Sequence, residues 1–158
     1  MKTIKVSAKT TLQIQCDDED VERVQLHYWA MDTSRMGRHI VKNHVTTLGR
    51  YVLNYNGPLE VDHKDRNPLN FCKENLRIAT RQQQMANSKP QGLRDFKGTR
   101  LTASKRWNAR VKFNGKQVHI GNFDTEEQAA RAYDRKAKEL FGEFALLNFP
   151  ESKSQCHT

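Results

Sequence analysis

A tight hairpin signal constrains the fold of the C-terminal part of this chain more than any other feature. Asn114-Gly115 separates two segments that read as strands, RWNARVKF and KQVHIGNF. Asn-Gly suits the two positive φ angles of a type I′ turn, which joins neighbouring antiparallel strands. A shorter segment, GTRL, precedes them and predicts a third strand. We therefore expect a three-stranded antiparallel sheet.

The residues after this sheet have the pattern of a capped amphipathic helix. Thr125 and Gln128 stand in capping-box spacing, acidic residues occupy the first turn, and Gly142 lies where a C-cap belongs. Apolar residues recur on one side at helical spacing, which predicts that the helix packs on the sheet. They are Ala129, Ala132, Tyr133, Ala137 and Leu140.

Basic side chains concentrate on the predicted sheet. Seven of them and no acidic residue lie between Lys97 and Lys116, in a chain of formal net charge +9. Basic residues gain affinity for a polyanion by releasing counterions from its phosphates. Alternate side chains on one face of such a sheet can reach bases and phosphates in a major groove. The expected DNA contacts from charge and flat rings are Lys97, Arg100, Arg106, Trp107, Arg110, Lys112, Lys116 and His119.

The cysteines and the hydropathy pattern exclude other classes. Cys16, Cys72 and Cys156 are widely spaced and form no CxxC pair, which argues against a disulfide framework and a zinc knuckle. No apolar run is long enough to cross a bilayer. We expect a monomer in the cytoplasm of a prokaryotic or phage-infected cell, with no membrane and no small-molecule substrate.

A second informative segment is VDHKDRNPLN, which is followed by ENLR and TRQQQMAN. Phosphodiester hydrolysis needs a base that activates water and a cation that neutralises developing charge. His63 beside Asp62 can supply the base and a metal ligand, and Asn75 can either fix the loop or orient the imidazole. Gln84 and Asn87 lie one turn apart on a predicted helix, and their amide oxygens suit Mg²⁺ or Mn²⁺.

This segment resembles the HNH homing endonucleases, in the phage and intron-encoded branch with Asp-His at the first position. The resemblance implies a strand–strand–helix fold that clasps one divalent metal. Asp62 would be a metal ligand, His63 the general base, and Asn75 the residue that fixes the loop or orients His63. Two positions depart from the family, since Gln84 stands where Asn is usual and Gly49 where many relatives have His. Three alternatives follow: Gln84 is the second ligand, Asn87 is the second ligand, or the site binds metal weakly and is slow or inactive.

The segment from KGTR to ALLNFP resembles the plant APETALA2 and ethylene-response-factor DNA-binding domain. The resemblance places Lys97, Arg100, Trp107, Arg110, Lys112 and His119 on strand positions that touch DNA. Arg110 stands where plant members usually have Glu and His119 where they have Trp, so base preference does not transfer. The expected core residues are Phe123, Ala130, Tyr133, Leu140 and Phe149.

We predict an α+β protein made of a small strand–strand–helix nuclease core and a three-stranded antiparallel sheet on one helix. The expected divisions are a mixed flank at 1–47, the nuclease at 48–89, a linker at 90–96, the DNA-binding domain at 97–150 and a tail at 151–158. Within the flank and core, short strands are expected in TIKVSAKTTLQIQ, RYVLNY, LEVDH and NLRIA, an acidic helical turn or loop in DDEDVERV, and a short helix in TRQQQMANS.

The leading hypothesis is a metal-dependent, homing-type nickase that acts on duplex DNA. The alternative is a DNA-binding regulator whose nuclease site has degenerated, and Gln84 is the residue that motivates it. An RNA-binding or ribosomal accessory protein, which rests on charge alone, ranks last.

Overall fold

The computed structural model describes residues 1–5, 13–32, 40–90 and 95–150. It has the predicted α+β architecture and divides into two compact units, residues 1–81 and 82–158. This division does not coincide with the predicted linker at 90–96, and the functional limits drawn from the sequence remain predictions. The expected tail, Cys156 and residues 91–94 lie outside the described residues. No helix in the described ranges is long and apolar enough to span a bilayer.

The described residues of the first unit form three short antiparallel strand pairs and two short helices. In chain order its elements are β1 (Lys2–Lys5), β2 (Gln13–Cys16), a 3-10 turn (Asp18–Asp20), α1 (Val21–Gln25), β3 (Ala30–Asp32), β4 (Ile40–Lys42), α2 (Leu48–Val52), β5 (Glu60–His63) and β6 (Leu76–Ala79). β1 pairs with β2, β3 with β4 and β5 with β6. The strands predicted around residues 60 and 77 and the acidic helical turn are confirmed.

The core of the first unit draws on both the expected flank and the expected nuclease segment. Trp29 is fully buried, and its indole nitrogen donates to the Val24 carbonyl at 2.9 Å. It belongs to one cluster with Ile14, Leu48 and Phe71. Burying such side chains stabilises each by about 1.5–3 kcal/mol relative to exposure. Part of residues 1–47 is therefore a structural component of the unit that holds β5 and β6.

The strand predicted for RYVLNY is wrong, because residues 48–52 form helix α2. Leu48 and Val52 are buried one turn apart, so burial follows a helical period where the sequence had suggested a strand. Gly49 lets the helix approach β5 closely, since a Cβ there would lie 3.0 Å from Val61 Cγ1. A histidine at position 49 would place its Cβ at this short distance from Val61.

The second unit contains the predicted sheet and helix, and also helix α3 (Arg81–Asn87). The first residue of α3, Arg81, is the last residue of the first unit. The sheet has the order β7 (Thr99–Leu101), β8 (Trp107–Phe113) and β9 (Lys116–Phe123), followed by α4 (Glu126–Phe141) and a 3-10 turn (Gly142–Phe144). All three strands are antiparallel, with a register shift between Ala109 and Arg110.

The local signals of this unit are confirmed. Asn114 and Gly115 have φ angles of 49° and 76°, as a type I′ turn requires. Thr125 Oγ1 accepts from the Gln128 amide at 3.2 Å, and Gly142 ends α4 with a φ of 53°. Tyr133 and three alanines of α4 (Ala129, Ala132 and Ala137) are buried, and Leu140 is partly buried.

A buried carboxylate ties the chain segments of this unit together. Asp134 on α4 accepts hydrogen bonds from the Asn148 and Phe149 amides at 2.9 and 2.8 Å. The Asn148 side chain in turn bonds the backbone of Lys97 through both its amide atoms. Hydrogen bonds to a charged acceptor are about twice as strong as neutral ones. Asp134 therefore links the segments before β7 and after α4 to the middle of the helix.

Gly98→Ala tests how closely the sheet approaches α4. Gly98 has a φ of 82°, and a Cβ there would lie 1.9 Å from Cδ2 of the buried Tyr133. We expect a loss of about 2–5 kcal/mol in the free energy of unfolding, from the strained φ angle and overpacking together. Gly115→Ala is the matched control: its φ is 76°, but no atom lies within 4 Å of a Cβ there. It should cost only about 1–2 kcal/mol in urea denaturation. Equal losses would contradict the close approach.

Candidate nuclease site and nucleic-acid face

Strand β5 carries the Asp62-His63 pair. In the β5–β6 register Asp62 lies opposite Arg77 and His63 opposite Leu76. Neighbouring residues on a strand direct their side chains to opposite faces, so Asp62 and His63 start from different sides of this ribbon. Asp62 is buried and His63 is half-buried.

Asp62 forms an ion pair with Arg77 across the two strands. Nε and Nη2 of Arg77 both lie 3.0 Å from Oδ2 of Asp62. The two side chains are only 8% and 10% exposed, so little solvent screens the pair. A buried carboxylate without a partner would be strongly disfavoured as an ion. Arg77 therefore gives the buried Asp62 carboxylate an ion-pair partner, a role that the sequence reasoning missed although ENLR contains this arginine.

His63 is held in a largely apolar setting. Its ring packs edge-to-face against Phe71, with centroids 5.1 Å apart. Burial lowers the pKa of His63 from its usual value of 6.5, and the charges of Asp65 and Asp62 act in the opposite direction. The lowered pKa favours the neutral imidazole near pH 7, which is the form that accepts a proton.

Asn75 fixes the loop that follows the Asp62-His63 pair. Its Oδ1 accepts from the Asp65 amide at 3.0 Å, and its Nδ2 donates to Asp65 Oδ1 and to the Asn70 carbonyl, both at 3.0 Å. Its own carbonyl accepts from the Lys64 amide at 2.9 Å. Asn75 is buried, and these bonds join the two ends of the loop.

Asp65 is the second organiser of this loop, and the sequence analysis did not single it out. It accepts from the Asn67 amide and from Asn70 Nδ2, each at 2.8 Å, and from Asn75. Burial acts to raise the pKa of Asp65, but these hydrogen bonds outweigh it and leave the pKa below its usual 3.8. Because the pKa of Asp65 is lower in the folded state, its carboxylate stabilises the fold fully above the usual pKa of 3.8. This contribution is lost as pH falls through the folded-state pKa.

The candidate ligands Gln84 and Asn87 both lie on α3 as predicted. Oε1 of Gln84 is buried and accepts no hydrogen bond from the residues that the structure describes. Leaving a buried acceptor unsatisfied costs about 1–3 kcal/mol, and such an atom is suited to a cation. Asn87 is buried as well. The described ranges hold no cluster of three or more His, Cys, Asp or Glu side chains that could hold a metal.

The outer face of the three-stranded sheet is polar and largely basic. The register pairs Arg100 with Asn108, Arg110 with His119 and Lys112 with Gln117. The intervening Ala109 and Val111 are buried towards α4, so these pairs lie on the opposite face. Arg106 and Lys116 are exposed at the strand ends.

Two of the predicted DNA-contacting residues are engaged in contacts within the protein. Trp107 packs with Ala109, Ala129 and Ala132, on the side of the sheet that α4 covers. The Lys97 ammonium donates to backbone carbonyls of α3 and Ser88. The remaining predicted contacts (Arg100, Arg106, Arg110, Lys112, Lys116 and His119) stay exposed or half-exposed on the sheet face and its ends.

Polar side chains between the basic residues were not predicted. Asn108 Nδ2 lies 2.7 Å from His119 Nδ1 and 3.1 Å from Asn122 Oδ1. Arg110 donates to Gln117 Oε1 at 3.2 Å. These bonds hold side chains of neighbouring strands in fixed positions on the outer face. Their strand alternation was visible in the sequence, but uncharged residues gave no signal of their own.

Comparison with known proteins confirms both resemblances. Residues 52–86 match the HNH endonuclease family model, which covers β5, the Asn75 loop, β6 and most of α3. The chain is 46% identical over 88 residues to an uncharacterized HNH endonuclease of Acanthamoeba polyphaga mimivirus, a match that covers 56% of this chain and 46% of the relative.

The plant resemblance is confirmed by shorter matches. An AP2-like ethylene-responsive transcription factor of Arabidopsis thaliana is 50% identical over 44 residues, 28% of this chain and 10% of that protein. The dehydration-responsive element-binding protein 2D of the same plant is 41% identical over 59 residues, 36% of this chain and 29% of that protein. The chain thus spans less than half the length of each of these relatives. No solved structure matches it significantly.

Asn75→Ala tests whether the loop depends on this side chain. The substitution leaves the Asp65 amide without its acceptor and removes donors to Asp65 and Asn70. We expect the free energy of unfolding to fall by about 1–3 kcal/mol in urea denaturation. Asn56→Ala, at an exposed position outside the helices and strands, is the control and should stay within about 0.5 kcal/mol of wild type. Similar values for both variants would refute the loop-fixing role.

Proposed function

We propose that this protein is a metal-dependent HNH endonuclease that binds duplex DNA and hydrolyses a phosphodiester bond. The observation that carries the proposal is the HNH match over residues 52–86, together with a buried Asp62 that pairs with Arg77 and lies next to His63 in the chain. A single active site on a monomer acts on one strand per binding event, so we propose a homing-type nickase. Intracellular action on DNA in a prokaryotic or phage-infected cell follows from this proposal.

Asp62 and Gln84 are the proposed protein ligands of one Mg²⁺ or Mn²⁺. A carboxylate and an amide oxygen are hard donors that suit these ions. Gln84 is favoured over Asn87 because its buried Oε1 has no donor among the described residues. Gln84 also matches the position at which the family usually has Asn. When bound, the cation would neutralise charge on the phosphate and the leaving oxygen.

His63 is the proposed general base. Packing against Phe71 limits its rotation, and burial favours the neutral imidazole that can take a proton from water. Asn75 acts on the loop rather than on the reacting atoms, because its hydrogen bonds go to Lys64, Asp65 and Asn70. Arg77 balances the charge of Asp62 in the free protein.

The outer face of the three-stranded sheet is the proposed DNA anchor. Arg100, Arg110, Lys112 and His119 project from adjacent strands without an acidic residue between them. Contacts of this kind with phosphates dominate affinity and weaken steeply with salt. The similarity to AP2-like plant transcription factors supports a duplex partner.

The second candidate function is a DNA-binding regulator whose nuclease site is inactive. It is favoured by the departure at Gln84, whose longer side chain changes where the amide oxygen lies. The two candidates differ in cleavage and agree in DNA binding, so one assay separates them.

Nicking of supercoiled plasmid is the decisive test of the nuclease. We expect open circles from the wild-type protein with Mg²⁺ or Mn²⁺ and no product with EDTA. His63→Ala should abolish cleavage, because it removes the proposed general base, while DNA binding in a gel shift remains intact. His44→Ala, which replaces an exposed histidine, is the matched control and should cut like wild type. A clear gel shift without product from wild type across several divalent metals would favour the regulator.

The second ligand is tested by Gln84→Ala, Gln84→Asn and Asn87→Ala. Gln84→Ala should raise the Mn²⁺ concentration for half-maximal nicking by at least about tenfold, because an oxygen ligand is lost. Gln84→Asn keeps the amide oxygen and should retain most of the activity. Asn87→Ala should keep the wild-type Mn²⁺ requirement. The reverse pattern, with Asn87→Ala defective and Gln84→Ala normal, would exchange the two roles.

A further inference from the structure

Lys97 is bound to the C-terminal end of helix α3. Its Nζ lies 3.1 Å from the Met85 carbonyl oxygen and 2.6 Å from that of Ser88, and it also donates to the Ala86 carbonyl. An ammonium group has three donors, and three acceptors are supplied here. These carbonyls belong to the end of a helix, where acceptors lack partners within the helix.

Lys97 supplies a positive charge that the last turn of α3 lacks. The helix has no basic residue in its last turn. The carbonyl end of a helix carries partial negative charge, and a nearby cation stabilises it by about 0.3–1 kcal/mol at exposed sites. Lys97 supplies that cation from a position that precedes β7 in the chain.

The same unit holds α3 at other points. The Asn114 amide, in the β8–β9 turn, donates to Gln82 Oε1 at 2.9 Å. The Leu146 amide donates to the Ala86 carbonyl at 3.1 Å, and Ala86 is buried in one cluster with Val111 and Tyr133. The helix that carries Gln84 and Asn87 is therefore integrated into the core of the predicted DNA-binding domain.

We propose that Lys97 is a positioning residue for the nuclease helix and not a DNA contact. By holding the last turn of α3, it fixes the rotation and tilt at which Gln84 and Asn87 are presented. A phosphate contact would require Lys97 to give up its hydrogen bonds to three carbonyl oxygens, of which those of Met85 and Ala86 would keep Ser88 and Leu146 as donors. This proposal rests on the proposed function, and it departs from the role that the plant resemblance gives to Lys97.

Lys97→Met is the principal variant, because it keeps the length of the side chain and removes its charge. We measure DNA affinity as a function of salt, and single-turnover nicking with enzyme in excess over its Kd. The slope of log K against log salt should stay at the wild-type value. The nicking rate should fall by about ten- to a hundredfold, as a small displacement of a catalytic group does.

Two lysine controls calibrate these measurements. Lys112→Met, on the exposed sheet face, is the reference for a lost phosphate contact and should reduce the slope by about 0.9. Lys136→Met, on α4, where Lys136 pairs with Glu139 at 2.7 Å, should change neither the slope nor the nicking rate.

Hydrogen exchange and a second variant keep the proposal testable if Lys97→Met folds poorly. Lys97→Gln retains an amide donor for the carbonyls without a charge, so it should recover part of the nicking rate at an unchanged salt slope. Amide protons of α3 and Ser88 should exchange faster in Lys97→Met than in wild type, and not in Lys112→Met.

The outcomes separate this proposal from the proposed function. A slope reduced by about 0.9 in Lys97→Met and Lys97→Gln, with normal nicking at saturating enzyme, would make Lys97 a phosphate contact and overturn the proposal. If wild type never cuts, the nuclease fails, and the salt slope and the exchange of α3 amides still decide whether Lys97 holds the helix.

Discussion

The hydrogen bonds of Asn75 are the constraint on which the candidate nuclease site depends. One amide group bonds the backbone and carboxylate of Asp65 and the carbonyl of Asn70, and so closes the loop between β5 and β6. The positions of Asp62 and His63 at the end of β5 follow from this closure, because the loop begins directly after them. A long polar loop in a small fold is stable only where such bonds satisfy its backbone.

The sequence predicted the elements whose determinants are local. The Asn114-Gly115 turn and the Thr125 cap are fixed by φ preference and by a hydrogen bond within one turn, so pattern alone identified them. Helix α2 was missed because its conformation depends on packing against β5, which a window around RYVLNY does not contain. The ion pair between Asp62 and Arg77 was missed for a similar reason: cross-strand register determines it.

The resemblance to the plant domain predicted the sheet and the helix, but it did not predict the contacts of every side chain. Lys97 and Trp107 occupy strand-proximal positions that the resemblance assigns to DNA, yet one donates to helix carbonyls and the other packs under the sheet. Strand alternation separates the two faces, and a bulge of one residue, such as the register shift between Ala109 and Arg110, changes which side chains lie on each face. The residue type alone therefore does not show on which face of the sheet a side chain lies.

DNA binding favours charged groups that are exposed to solvent, whereas the candidate nuclease site contains a charged group that is buried. Exposed cations such as Arg100 and Lys112 keep their hydration until a polyanion replaces it, so they can supply affinity without destabilising the fold. Asp62 is buried, where a charge is tolerated only with Arg77 beside it. If the proposed function holds, a cation that binds Asp62 must compete with this internal ion pair, so the strength of the pair limits how tightly the proposed site can hold a metal.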